Sequence, residues 1–189
     1  GFSTSALTRA PTLFDNSIRN VVISDLGNEH KLVHAMNGVD TVIHLAARVH
    51  VMTENVTDSL SAYRAINVDM TLKLARQAAV AGVRRFIYMS SVKVNGECTA
   101  DGLQFTPEDI PKPEDPYGIS KMEAEQALLV LSKETGLEVV IIRPPLVYGP
   151  GVGANFLAMM RWVSRQLPLP LGAIHNRRSM VALSNLVDF

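Results

Sequence analysis

Cysteine is almost absent from this chain. Cys98 is the single one in 189 residues, so no internal disulfide can form. A lone free thiol is the usage expected of a reducing cytoplasm. Long hydrophobic runs are missing too. The longest apolar stretches, such as LEVVII (137–142), are strand-sized and fall well short of the ~20 residues that cross a bilayer. No membrane-embedded function is therefore expected. An excess of charge of either sign is also lacking, with Lys+Arg and Asp+Glu at 18 each. That balance gives no nucleic-acid footprint and no acidic tail. The first residues, GFSTSALTRAP, lack a charged start followed by an apolar stretch and do not read as a signal peptide. Repeats and low-complexity segments are absent. What remains is a composition of 47% hydrophobic and 19% charged residues. Such a mix suits a globular protein of one domain with a real core, or one domain and part of a second.

Short apolar runs alternate with longer amphipathic ones. Residues 3–9, 20–26, 40–47, 83–91 and 137–144 are predicted strands. Residues 28–37, 56–81, 117–135 and 153–166 are predicted helices, the first three closed by Gly38, Gly82 and Gly136. Residues 92–116, rich in Gly, Pro, Thr and acids, read as a loop. Strands apolar on both faces and separated by helices imply an α/β fold, a doubly wound parallel sheet with helices on both sides. Ligands of such sheets sit beyond the carboxyl ends of the strands. His44–Ala47, Ser90–Ser91 and Arg143–Tyr148 all fall at such ends, and Tyr117 opens the helix after the serine-ended strand.

The stretch DPYGISKMEAEQ (115–126) places Tyr117 four residues before Lys121. On a helix the two share a face. The pair could be an acid–base group with its cation, or two residues of a solvated face. Ser90–Ser91 could serve chemistry or simply cap a strand end. Asn67 could bond neighbouring backbone, and His44 reads as a satisfied core histidine. His30 and His34 have a spacing that suits a metal, but no third ligand lies nearby, so no metal is expected. Cys98 is assigned no role. Trp162 and the Met159–Met160 pair are expected in the core.

Taken together, these motifs resemble the extended short-chain dehydrogenase/reductase family, in its nucleotide-sugar (UDP-glucose 4-epimerase-like) epimerase/dehydratase branch. The matches run in order through most of the chain. Asp25-Leu26 resembles the adenine-contacting pair. HLAA, with Leu45, Ala46 and Ala47, resembles the strand lining the cofactor, and Asn67 stands where the family has its helix asparagine. SSVKVNG (90–96) is similar to S-S-x-x-V-Y-G, YGISK (117–121) to the catalytic Y-x-x-x-K, and RPPLVYGPG (143–151) to R-P-x-x-V-Y-G-P-G. RSMVALSNLVD (178–188) resembles the segment in which an arginine approaches sugar-nucleotide phosphates.

The resemblance implies a Rossmann-like fold. Residues 1–145 would be the dinucleotide-binding domain and residues 146–189 the start of a substrate-binding region. The family's first strand and Gly-rich turn, and most of its substrate lobe, find no counterpart, so an internal portion of a longer enzyme is expected. Ser91, Tyr117 and Lys121 are the implied catalytic residues. Arg9, Asp25, Leu26, Leu45, Ala46, Ala47, Asn67, Ser90, Tyr117, Lys121 and Pro144 are implied for the cofactor, NAD or NADP. Ser91, Lys93, Asn155 and Arg178 are implied for a nucleotide-sugar substrate. A cytoplasmic homodimer paired through two long helices is the implied assembly.

The chemistry follows from these roles. A tyrosine is a poor base at neutral pH, and a fixed ammonium is expected to lower its pKa. Ser91 would donate to the substrate oxygen. Ser91, Val92 and Lys93 stand where 4,6-dehydratases carry Thr-Asp-Glu, so a dehydratase is rejected. Three readings remain: a UDP-hexose 4-epimerase, an NADPH-dependent reductase of a nucleotide-linked 4-keto sugar, and a non-catalytic cofactor-binding or interaction protein on the same fold. The predicted first strand ends Thr8-Arg9 with no acid to bind a ribose 2′-hydroxyl, a mild lean toward NADP.

Overall fold

The computed structural model describes residues 2–12, 14–23, 29–49, 59–100, 102–166, 168 and 177–189. The chain divides into two compact units, Gly1–Ile142 and Arg143–Phe189.

In the first unit, β1 (Thr4–Thr8) pairs in parallel with β2 (Ile18–Val22). Helix α1 (Glu29–Met36) follows, then β3 (Thr41–His44). Helix α2 (Ser59–Arg64) passes into a π-helical segment, Ala65–Met70, and on into α3 (Thr71–Val80). Of the helix expected over 56–81, residues 59–80 run continuously with a wider turn at their middle, and residues 56–58 lie outside the described residues. A 3₁₀ turn, Val92–Val94, follows β4 (Arg85–Met89), and α4 (Pro116–Thr135) leads to β5 (Glu138–Ile142). Strands β3, β4 and β5 form a second parallel sheet in that order. The sequence suggested one sheet, whereas β1–β2 and β3–β4–β5 are separate ladders among the described residues.

Register explains the core. Val42 pairs with Phe86 and His44 with Tyr88, so all four share a face. Phe86 and Tyr88 are fully buried there. They pack with Leu32 and Met36 of α1, Leu74, Ala75 and Ala78 of α3, and Ala124, Leu128 and Leu131 of α4. Alanines at 75, 78 and 124, all at 0% exposure, let helix backbones approach closely. The other face of the sheet carries Ile43, exposed at 59%.

Helix α4 is delimited by local chemistry. Asp115 is its N-cap, with Oδ1 accepting from the Gly118 N–H at 2.6 Å, and Pro116 occupies the first turn, where its missing N–H is not needed. Gly136 ends the helix in the left-handed region at φ 77°.

The second unit holds β6 (Leu146–Tyr148), α5 (Ala154–Ser164), β7 (Met180–Ala182) and α6 (Leu183–Asp188), with β6 and β7 parallel. Met159, Met160 and Trp162 on α5 are 44–50% exposed, against the expectation that they sit in a core. Phe156 of the same helix stacks on Tyr148 of β6 at 5.7 Å, so the described elements cover the helix at its start and not along the face of those three side chains.

The packing predicts a contrast along α4. Leu128→Ala should cost about 2–5 kcal/mol as a buried truncation. The adjacent Leu129, 47% exposed, should lose less than about 1 kcal/mol on truncation. Urea unfolding of the two variants checks this.

Candidate functional site

Strands β3 and β4 are parallel neighbours, so the segments that follow them, 45–49 and 90–95, leave the sheet by the same edge. The start of α4 is bound to that edge by three buried polar side chains. Lys121, 2% exposed, donates from Nζ to the Met89 carbonyl at 2.8 Å. Ser90 donates from Oγ to the Glu125 carboxylate at 2.5 Å. Asn67 lies in the π-helical segment at 1% exposure. Its Oδ1 accepts from the Arg48 N–H at 2.8 Å, and its Nδ2 donates to the Arg48 carbonyl and to Ser120 Oγ. Ser120 in turn donates to the Tyr117 carbonyl at 2.7 Å. One asparagine thus joins the segment after β3 to the first turn of α4. π-Helical turns frequently mark functional positions, and here the turn aims Asn67 inward.

The Tyr117 ring is half-buried. It meets Tyr63 of α2 edge-on at 6.1 Å, and the Arg48 guanidinium lies over Tyr63 at 5.9 Å. Lys121 Nζ lies 4.7 Å from the Tyr88 ring centre and 5.8 Å from that of Tyr117. Ser91 caps the 3₁₀ turn, accepting at Oγ from the Lys93 N–H at 3.3 Å. Its side chain is also near enough to Tyr117 to act on the phenol.

Burial sets the electrostatics. It lowers Lys121 to about 8, while Glu125, one helical turn on, pulls the other way. The Tyr117 phenol is raised above its ordinary value, first by burial and then by the Asp115 carboxylate. Ser91 and Lys93 oppose that rise, and Tyr63 adds to it. The expected lowering of Tyr117 by its helix partner is therefore not the outcome, because burial and the Asp115 carboxylate outweigh the Ser91 hydrogen bond and the Lys93 ammonium. The phenol is a neutral hydrogen-bond donor at neutral pH. His44 is lowered to about 4 by burial and then by Lys121, and its Nε2 lies 2.9 Å from Thr71 Oγ1. It is a neutral, partnered core residue.

The other candidates distribute as follows. Leu45 and Ala46 are exposed and Ala47 is half-buried on the segment after β3, a surface against which a flat ring can lie. Arg9 is exposed just after β1. Asp25 and Leu26 lie outside the described residues. Lys93 carries an ammonium paired with Asp115 and Glu97. Pro144, Asn155 and Arg178 belong to the second unit, where Pro144 is half-buried and Arg178 exposed. No cluster of three metal-ligating side chains occurs among the described residues, and none of their helices is long and apolar enough to cross a membrane.

Sequence reasoning missed Glu125, Ser120 and Asp115. Two of them left a signal. Asp115-Pro116 is a helix-start pattern, and Glu125 repeats the four-residue step from Lys121. Ser120 left none, because its role depends on a helix distant in sequence.

The donor set suits a dinucleotide. Lys121 and Tyr117 offer donors for ribose hydroxyls, and the 45–47 segment offers an apolar wall. The model of the NAD dependent epimerase/dehydratase family matches residues 3–188. A UDP-glucose 4-epimerase of Vibrio cholerae is 52% identical over 154 residues, 81% of this chain and 47% of that protein. The solved structure of MoeE5 in complex with UDP-glucuronic acid and NAD superposes with a TM-score of 0.75 at 30% identity, covering 97% of this chain and 61% of that one. The dTDP-glucose 4,6-dehydratase DesIV of Streptomyces venezuelae, with NAD bound, gives 0.75 at 27% identity, covering 92% and 53%. The chain spans about half the length of the curated relatives it matches.

Removing the buried counter-charge should be visible on the lysine. In Glu125→Gln the Lys121 ammonium should titrate below about 8, because the group that stabilises its charge is gone. Nitrogen-15 NMR of lysine side chains, with Lys121→Met as the assignment control, reads this directly.

Proposed function

This chain belongs to the NAD dependent epimerase/dehydratase family, and from that premise we propose that it carries the acid–base group of a nucleotide-sugar 4-epimerase acting on a UDP-hexose. One observation carries the reading. Three separate polar anchors, from Lys121, Glu125 and Asn67, hold the Tyr117 turn of α4 against the edge where Ser91 emerges.

The dinucleotide, when bound, supplies hydride acceptance and return at carbon 4. The chain's own residues handle the proton and the field. Ser91 Oγ donates to the substrate oxygen as negative charge develops there. Tyr117 takes the hydroxyl proton as phenolate while carbon 4 is oxidised, and as the resulting neutral phenol it returns that proton to the 4-keto oxygen. Lys121 brings a positive charge and an N–H donor toward the ribose. Below about 8 it is an ammonium, and above that it loses the charge, so turnover should decline as pH rises through that value. Leu45, Ala46, Ala47, Asn67 and Ser90 shape the cofactor wall. Pro144 is assigned to the cofactor and Asn155 and Arg178 to the sugar nucleotide, the latter through the bidentate fit of arginine to phosphate.

NAD is the cofactor favoured here, in keeping with the NAD dependent family and with the NAD bound in the MoeE5 and DesIV structures. A 4-keto-sugar reductase is the second reading. Its specific support is Arg9, exposed just after β1 with no acid beside it, which suits a 2′-phosphate. Leu129 and Val130, exposed on α4, are proposed as part of a homodimer interface.

Tyr117→Phe should lower turnover by roughly 10²–10⁴-fold while leaving dinucleotide binding within a few-fold. Interconversion of UDP-hexoses with no net cofactor change supports the epimerase. Net NADPH oxidation with a 4-keto sugar supports the reductase. Normal turnover in Tyr117→Phe removes the phenol from the mechanism.

A further inference from the structure

We propose that Lys93 and Asp115 form a positioning device that sets the proton affinity and orientation of Tyr117. This rests on the reading of Tyr117 as the proton-transfer group. Lys93 Nζ lies 2.5 Å from Asp115 Oδ2 and 2.8 Å from Glu97 Oε1. The second oxygen of Asp115 holds the Gly118 N–H at 2.6 Å. Tyr117 lies between these two anchor points in the chain. The backbone of the 3₁₀ turn also presses on the helix start. A Cβ at position 118 would stand 3.0 Å from the Lys93 carbonyl oxygen and 3.2 Å from Asp115 Oδ1. With Pro113 Cβ at 3.1 Å as well, a side chain at 118 would be tight and would require these neighbours to give by a few tenths of an ångström, so the turn after Ser91 and the turn bearing Tyr117 are fitted closely to each other by both charge and backbone.

The two charges act on the phenol in opposite directions. Asp115 raises its pKa and Lys93 lowers it. Their pairing brings the opposing fields to one place, and loss of either leaves the other uncompensated. The remaining groups around the ring are Tyr63 of α2, with Arg48 over it, Ser91 from the segment after β4, and Lys121 and Tyr88 beneath. Of these, Lys121 is occupied by the Met89 carbonyl and sits in line with Glu125. Lys93, at 41% side-chain exposure, is the cation that solvent and substitution reach most readily. This makes it a positioning residue acting through Asp115, not a group that touches substrate.

The test reads the phenol itself, in the intact protein without substrate. Carbon-13 NMR of ring-labelled tyrosine, with Tyr117→Phe to assign the resonance, gives the Tyr117 titration midpoint. Lys93→Met should move that midpoint upward by roughly half a pH unit, and Lys93→Arg should restore it. Asp115→Asn keeps an oxygen that can cap Gly118 and should move it downward. It also reports on the device if Lys93→Met folds poorly. A Tyr117 midpoint unchanged in both Lys93→Met and Asp115→Asn, or a shift that Lys93→Arg does not reverse, overturns the proposal. These outcomes are independent of whether Tyr117→Phe abolishes turnover, which tests the underlying assignment instead.

Discussion

An ammonium buried to 2% exposure is the constraint on which the first unit turns. Taking Lys121 out of water is unfavourable unless its charge is answered nearby. The answer comes from three directions: the Met89 carbonyl at 2.8 Å, the face of Tyr88 at 4.7 Å, and the Glu125 carboxylate one turn along α4. Each fixes a different element. The carbonyl fixes the end of β4, the aromatic face fixes the side of the sheet, and Glu125 with Ser90 fixes the rotation of α4. A helix held by such contacts cannot slide or roll without stranding a charge.

The same logic extends outward through Asn67. Its amide satisfies both backbone polar groups of Arg48 and reaches Ser120. An irregular segment after a buried strand needs partners for its N–H and C=O groups. Here a helix supplies them, and the π-helical turn is the local adjustment that aims the side chain. The groups that satisfy buried backbone also set where Tyr117 stands. Burial of the phenol keeps it protonated, with Ser91 and Lys93 opposing the rise.

The strands and helices were legible because their patterns are local. The apolar runs over 40–47 and 83–91 marked β3 and β4, and Gly38, Gly82 and Gly136 marked helix ends. The spacing of Tyr117 and Lys121 was legible for the same reason, since four residues on a helix define one face. The division of the strands into two ladders was not, because pairing joins residues far apart in sequence. Nor was the exposure of Trp162, Met159 and Met160. Apolar character shows a tendency to be buried, and whether a partner surface exists is a property of the assembled unit.

Lys93 draws the division most sharply. Sequence alone placed a basic residue two positions after Ser91, and from there a contact with substrate was a natural expectation. Only the tertiary structure brings Asp115 across from the start of α4 to take that ammonium. The order of the elements, their caps and the identity of the polar residues at the strand ends were determined by the sequence itself, through propensities acting over a few residues. Which of those polar residues meet, which are neutralised and which stay open was decided by packing, because a hydrogen bond acts over about three ångströms of space and takes no account of distance along the chain.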